Sequence, residues 1–208
     1  MHSAGPASSG ELLVDHVSAH GTRVTQIRGI LLMNAIANLR EWGLYERYLE
    51  QLPQDTRYTL HGVIASSWVD IDVAIKHYQA SAELGIDDGR AAEAGVRLGE
   101  RIAKTFLGMT LRTARGAGLD AFGFVLRRNK NLWDRMYQGG GTRLRQLAPN
   151  EMLLEDFGNP IFRFELCRIG YYAYWNAIAR LCCRTFRITP GTAARLDDSR
   201  LVTTFTWR

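Results

Sequence analysis

The chain has 208 residues, of which 46% are apolar and 23% are charged, which is typical of a soluble globular protein with room for one substantial domain. Its net charge is only +5, and apart from Arg127, Arg128 and Lys130 the basic residues are dispersed, so we expect no nucleic-acid partner. There is no run of about eighteen apolar residues, and we therefore expect no membrane span.

The cysteines and the N-terminus indicate where the protein resides. Cys167, Cys182 and Cys183 form no disulfide framework, and they lack the paired spacing with histidine that a zinc site needs. We expect reduced, buried thiols in a cytoplasmic protein. The N-terminus has no basic segment followed by an apolar run, so we expect no signal peptide. Its small and polar residues predict a flexible tail over residues 1–20, followed by a single domain over residues 21–208.

The first two-thirds of the domain are predicted to be mainly helical. After a short strand at residues 22–28, apolar residues at helical spacing predict a helix that ends at Gly43, where glycine is a favoured C-terminal stop. A second short helix follows, and Pro53 begins a third, since proline is favoured in the first turn.

The segment SSWVDIDVAIKHY, residues 66–78, contains two carboxylates close to a histidine. Asp70 and Asp72 suit the start of a helix, where their side chains can cap backbone N–H groups and face the positive end of the helix dipole. The alternative is an acid–base or metal site that includes His77. We favour the helix start, with His77 as a partly buried residue of that helix.

The segment from residue 87 to 118 is predicted to be the longest helix. Small residues recur in it every four positions: Ala91, Gly95, Gly99 and Ala103. Glycine costs a helix about 1 kcal/mol relative to alanine, so close packing must offset that cost. We expect another backbone to approach this stripe, within the chain or across a dimer.

The C-terminal third changes its period. A further helix is predicted over 119–138, and the glycines at 139–141 are predicted to form a turn, because no P-loop lysine follows them. Residues 142–157 alternate with a period of two and predict a hairpin. Next come an apolar helix rich in aromatic residues, over 162–186, and two strands. The predicted fold class is α+β, with the helices packed on a small antiparallel sheet of four to five strands.

A search for catalytic chemistry in the sequence gives no support for an enzyme. The G-x-S-x-G, H-E-x-x-H, P-loop and dinucleotide-binding motifs are all absent. We therefore predict no catalytic residues. An uncharacterised enzyme that uses Asp70, Asp72 and His77 is kept as a third reading.

Six segments carry a resemblance to a known family: IRGILLMNAI, LPQDTRYTL, SSWVDIDVAIKHY, GVRLGERIAKTFLG, LWDRMYQGGGTRLR and TFTWR. In this order they resemble a myxobacterial family of unknown function, over roughly residues 26 to 207. That family is distantly similar to the superfamily of vinyl-reductase-type, haem-NO-binding and TRAPP-trafficking domains. The resemblance implies helices against an antiparallel sheet of four or five strands, and a binding or assembly role.

The functional patterns of that superfamily are not found in this sequence. The haem branch has a Y-x-S-x-R propionate clamp, which is missing here, and its proximal histidine would have to be His77. The vinyl-reductase branch often has cysteines near the C-terminal hairpin, whereas these thiols lie on the preceding helix. We therefore expect no cofactor and no metal.

The aromatic residues of the C-terminal helix suggest a binding role. We predict a non-enzymatic small-ligand-binding or sensory module that holds an apolar ligand between this helix and the long helix. The alternative is a protein–protein adaptor with a dry core, similar to TRAPP assemblies. We also expect a homodimer or a partner protein. The predicted ligand-binding residues are Trp68, Phe106, Tyr172, Trp175 and Cys182.

Overall fold

The computed structural model describes residues 10–104, 106–191 and 199–208. Within these ranges the side chains of Ile102, Ala103, Phe106 and Leu107 are left out of the description. The helices are α1 (Gly29–Glu41), α2 (Tyr45–Gln51), α3 (Gln54–His61), α4 (Ile71–Ala82), α5 (Asp88–Ala103), α6 (Phe106–Gly116), α7 (Ala121–Arg127), α8 (Asn129–Met136) and α9 (Glu165–Cys182), with a 3-10 turn at Pro160–Arg163. Among these described residues, no helix is both long and apolar enough to cross a bilayer.

In the part of the chain that the structure describes, eight strands form two antiparallel sheets. The strands are β1 (Glu11–Val17), β2 (Gln26–Arg28), β3 (Trp68–Asp70), β4 (Tyr137–Gln138), β5 (Gly141–Ala148), β6 (Glu151–Phe157), β7 (Phe186–Pro190) and β8 (Arg200–Trp207). The larger sheet has the order β1-β5-β6-β8-β7, and the smaller has the order β3-β2-β4. The predicted α+β class is confirmed, and so is the predicted hairpin, which is formed by β5 and β6.

The two sheets join at a glycine junction between β4 and β5. Gly139 and Gly140 have φ angles of 91° and 68°, a left-handed region that side chains with a Cβ rarely adopt. A Cβ on Gly140 would also lie 2.5 Å from the Phe157 carbonyl oxygen. The indole N–H of Trp133 donates to the Gly139 carbonyl at 3.0 Å, so α8 is tied to the junction.

Helices α5 and α9 approach closely through small residues. A Cβ on Gly95 would overlap the carbonyl oxygen of Gly170, and a Cβ on Gly99 would lie 2.5 Å from the Cβ of Ala177. The close packing predicted for the small-residue stripe of α5 is therefore made within the chain, against α9.

The buried side chains form two clusters. The first lies among α1, α2, α4 and the small sheet, and it includes Tyr48, Ile27 and Leu39. The second lies between the large sheet and the C-terminal half of α9, and it includes Phe122 and Phe205. Tyr171 packs against both clusters, so α9 is the element that they share.

Several boundaries differ from those predicted. Residues 11–17 of the expected tail form β1, which pairs with β5 and so covers an otherwise open edge of the large sheet; residues 1–9 lie outside the described ranges. The long helix expected over 87–118 is two helices, α5 and α6. The helix expected over 119–138 is also two, α7 and α8, and the break falls at Arg128. The next residue, Asn129, turns its side chain inward to donate to Asp156.

Candidate ligand cavity

A cavity of about 340 Å³ lies between the helices and the sheets. Its wall is formed by α1, α4, α5, α8 and the N-terminal half of α9, and it is mostly apolar. Pockets that hold small molecules have this character and fall in the range of about 300–1,000 Å³. The aromatic side chains of the wall are Trp42, Tyr78, Trp133, Tyr137, Phe162, Tyr171, Tyr174 and Trp175.

Three wall residues carry buried N–H groups for which the described part of the chain offers no hydrogen-bond partner of normal geometry. These groups are Asn34 Nδ2, Trp42 Nε1 and Trp175 Nε1. The orientation of the Asn34 amide is fixed, because its oxygen accepts a hydrogen bond from Arg101. An unpaired buried donor costs about 1–3 kcal/mol, so a ligand that offers acceptor oxygens would relieve that cost.

The wall also includes one buried carboxyl group, Asp156, which is 2% exposed. It accepts hydrogen bonds from the Tyr171 hydroxyl at 2.7 Å and from the Asn129 amide at 3.1 Å. Burial raises the pKa of Asp156 to about 6, although the hydrogen bonds from Thr142, Tyr171 and Asn129 oppose that rise.

His77 lies at the α4 side of the cavity and is 1% exposed. Its Nδ1 lies 2.6 Å from the Tyr48 hydroxyl, and the rings of Tyr48 and Tyr78 pack edge-to-face against the imidazole. Burial lowers the pKa of His77 to about 4, so the imidazole is neutral at pH 7. It is more deeply buried than the partly buried helix residue that we expected.

Only one of the predicted ligand-binding residues contributes to this cavity in the part of the chain that the structure describes. Trp175 lines it and is 1% exposed. Trp68 instead lies in β3 beneath the Arg28 guanidinium, which is 3.7 Å from the ring centre. Tyr172 faces away from the wall on α9, and Cys182 is buried in the second cluster. Phe106 begins α6, and its side chain is among those that are not described.

The acidic pair forms the helix start that the sequence predicts. Asp70 precedes α4, and its carboxylate accepts the Asp72 backbone N–H at 2.8 Å. Both aspartates are exposed, whereas His77 is buried. The three side chains therefore do not converge, and the reading that joined them in a catalytic site loses its geometric basis. Within the described ranges there is no group of three or more His, Cys, Asp or Glu that could hold a metal ion.

Sequence reasoning missed the wall contributed by α1, α8 and β6. Asn34 and Asp156 are polar residues in apolar segments, and that mismatch was the available signal, whereas the polar segment around Asn129 gives none. Asp156 follows Glu155 on β6. Because side chains alternate along a strand, one of the two had to face inward.

No protein-family model matches this chain, and a search of curated proteins also finds no match. Solved structures do share its fold. An H-NOX (haem-NO-binding) protein from K. algicida in the unliganded Fe(II) form is 10% identical, with a TM-score of 0.59, and the match covers 88% of this chain and 97% of that one. A T. tengcongensis H-NOX structure is 12% identical, with a TM-score of 0.53 and coverages of 88% and 98%. An oxygen-binding H-NOX domain related to soluble guanylate cyclases is 13% identical, with a TM-score of 0.50 and coverages of 88% and 95%.

The likeness to H-NOX structures raises the question of whether the wall suits haem, and its residues do not fit. Haem carries two propionates, yet the described wall contains neither lysine nor arginine. It presents the carboxyl of Asp156 instead. An uncharged or cationic molecule suits this wall better than a dianion does.

Proposed function

We propose that this protein is a non-enzymatic binding module whose ligand is a largely apolar small molecule, held in the cavity between α1, α5, α8 and α9. The observation that carries the proposal is the set of unpaired donors in the wall: Asn34 Nδ2, Trp42 Nε1 and Trp175 Nε1. Natural proteins leave few buried polar groups unsatisfied. Three of them around one apolar space favour a bound molecule with acceptor groups.

The driving force for binding would be burial of apolar area, at about 25 cal/mol per Å² before ordering costs are subtracted. A sensory role is supported by the shared fold with the H-NOX structures. The cytoplasmic location and the homodimer or partner protein stay predictions, as does the absence of a cofactor.

Native mass spectrometry of freshly purified full-length protein tests this proposal, together with an absorption spectrum of the same sample. We expect a co-purifying organic molecule and no haem absorption band. A bare protein that also fails to bind apolar probes would favour the adaptor with a dry core. A haem absorption band would contradict the proposal that the ligand is a small apolar molecule other than haem.

A matched pair of substitutions on α1 locates the binding site. Ala35 lines the cavity, whereas Ala37 is exposed on the same helix. We expect Ala35→Trp to fill the space and remove the co-purifying molecule. The Ala37→Trp variant should retain it. Equal retention by two folded variants, checked by circular dichroism, would contradict the proposed location.

A further inference from the structure

The inner end of the cavity, where α8, β6 and α9 meet, contains Asp156, which has no cationic partner among the residues that the structure describes. The groups that face it are Asn129 of α8, Thr142 of β5, Tyr137 of β4, and Tyr171 and Tyr174 of α9. All of these are neutral at pH 7, because the pKa of each tyrosine is raised further by burial. Glu155 precedes Asp156 but pairs with Arg200 at 2.9 Å.

An asparagine at position 156 would keep only one of the two acceptor oxygens, because its NH2 group would replace the other. A buried carboxylate without a cation is costly. Each carboxylate oxygen can accept two hydrogen bonds, so the carboxylate can accept four, and Asn129, Tyr171 and Thr142 supply three. Acceptor capacity therefore remains on a group that lines the cavity.

We propose that the ligand of this cavity is an apolar molecule with one protonated amine, and that Asp156 is the residue that pairs with that amine. This inference rests on the proposed function and adds the chemical class of the ligand. The aromatic wall, with Tyr171 and Tyr174 next to Asp156, suits a cation as well as an apolar body, because ring faces attract cations. The unpaired donors toward α1 would contact acceptor groups at the opposite end of the ligand.

A matched pair of probes tests the inference: 4-phenylbutylamine, and 4-phenylbutan-1-ol, which has the same body without the charge. Binding to the full chain is measured by isothermal titration calorimetry at pH 7.5. We expect the amine to bind at least about tenfold more tightly than the alcohol, as for a charge-assisted contact. Equal affinities would overturn this inference and leave the proposed function standing. Binding of neither probe would count against both.

Variants at two neighbouring carboxyl groups show where the selectivity arises. Asp156→Asn should bring the affinity ratio of the two probes to near one while the alcohol still binds. Glu155→Gln, on the opposite face of β6, should keep the wild-type ratio. If Asp156→Asn fails to fold, the wild-type protein at pH 5 replaces it. Asp156, whose pKa is about 6, is mainly protonated at that pH, which should weaken the preference for the amine. His77, whose pKa is about 4, stays mainly neutral at pH 5 and should not contribute to the change. A preference that survives both changes would refute the inference.

Discussion

The two halves of α9 lie in different surroundings although they share one helix. The C-terminal half, with Ile178 and Cys182, packs in the second cluster against the large sheet. The N-terminal half, with Cys167 and Tyr171, lines the cavity. The C-terminal half is surrounded by aromatic and aliphatic side chains, whereas the N-terminal half faces a carboxyl group and unpaired donors. A helix that is apolar on all sides can thus serve a dry core at one end and a binding site at the other.

The largest expected effect is in the dry half. Phe122 contacts Trp175, Phe205 and Trp207 edge-to-face, with ring centres 5.3–6.3 Å apart. We expect Phe122→Ala to lower the free energy of unfolding by about 3–5 kcal/mol, because it leaves a cavity among these rings. Urea denaturation measures the change. The control is Phe124→Ala on the same helix, where the ring is 49% exposed. A loss as small as that of the control would mean that the core is not tightly packed.

Two titratable residues of the cavity wall, Asp156 and His77, should make stability depend on pH. The pKa of Asp156 is raised from 3.8 to about 6 in the folded protein. Its contribution to the free energy of unfolding is therefore fully present below pH 3.8 and is lost as pH rises through 6. The pKa of His77 is lowered from 6.5 to about 4, so the folded protein loses stability as pH falls from 6.5 through 4. The two dependences oppose each other over the same range.

Asp156→Asn removes the pH dependence that Asp156 gives to stability, so the opposite dependence from His77 should become visible. Relative to wild type, the variant should gain up to about 3 kcal/mol in unfolding free energy between pH 4 and pH 7. Urea denaturation at several pH values measures this difference. The Glu155→Gln variant should follow the wild-type profile. A constant difference across the range would show that Asp156 does not titrate as described.

The contact between α5 and α9 beside the cavity gives the next effect. Gly95→Ala places a methyl group against the Gly170 carbonyl, and we expect a loss of about 1–3 kcal/mol in unfolding free energy. Gly116→Ala is the matched control, since a Cβ there meets nothing within 4 Å; it should be neutral or stabilising by about 0.5–1 kcal/mol. Thermal unfolding of both variants compares them. A Gly95→Ala protein as stable as Gly116→Ala would show that the helices can separate at no cost.

The smallest expected effect on stability is at the outer edge of the cavity. Arg97 of α5 binds Glu41 of α1 and also donates to Glu93 at 2.7 Å. Exposed ion pairs contribute little to stability, so Arg97→Met should leave the melting temperature nearly unchanged. It should speed the exchange of a bound apolar probe between α1 and α5, measured by stopped-flow tryptophan fluorescence. Arg90→Met, on the same helix, is the control. Equal exchange rates would show that ligands enter elsewhere.

The sequence was sufficient for the fold class because each element carries its own local signal. Period-two alternation defined β5, β6 and β8, and the cap at Asp70 defined the start of α4. Strand β1 was missed because its residues have mixed polarity, and its stability comes from pairing with β5, which lies more than a hundred residues away. Short strands such as β3 likewise depend on partners that no local pattern shows.

The candidate site was much less predictable than the fold. Aromatic density selected Trp175, which lines the cavity, but the same signal selected Tyr172 and Trp68, which lie outside the wall. Helical spacing does not say which side of α9 faces empty space and which faces the sheet. Asp156 and Asn34 required the packing of four or more elements to become wall residues, so only the three-dimensional arrangement brings them together.

The glycine junction between β4 and β5 is hydrogen-bonded to a residue of the cavity wall. Trp133 and Tyr137 line the cavity, and Trp133 holds the Gly139 carbonyl. The backbone between the small and the large sheet therefore turns next to a ring that an occupant would touch. An occupant that displaced this indole would break the hydrogen bond that ties α8 to the junction.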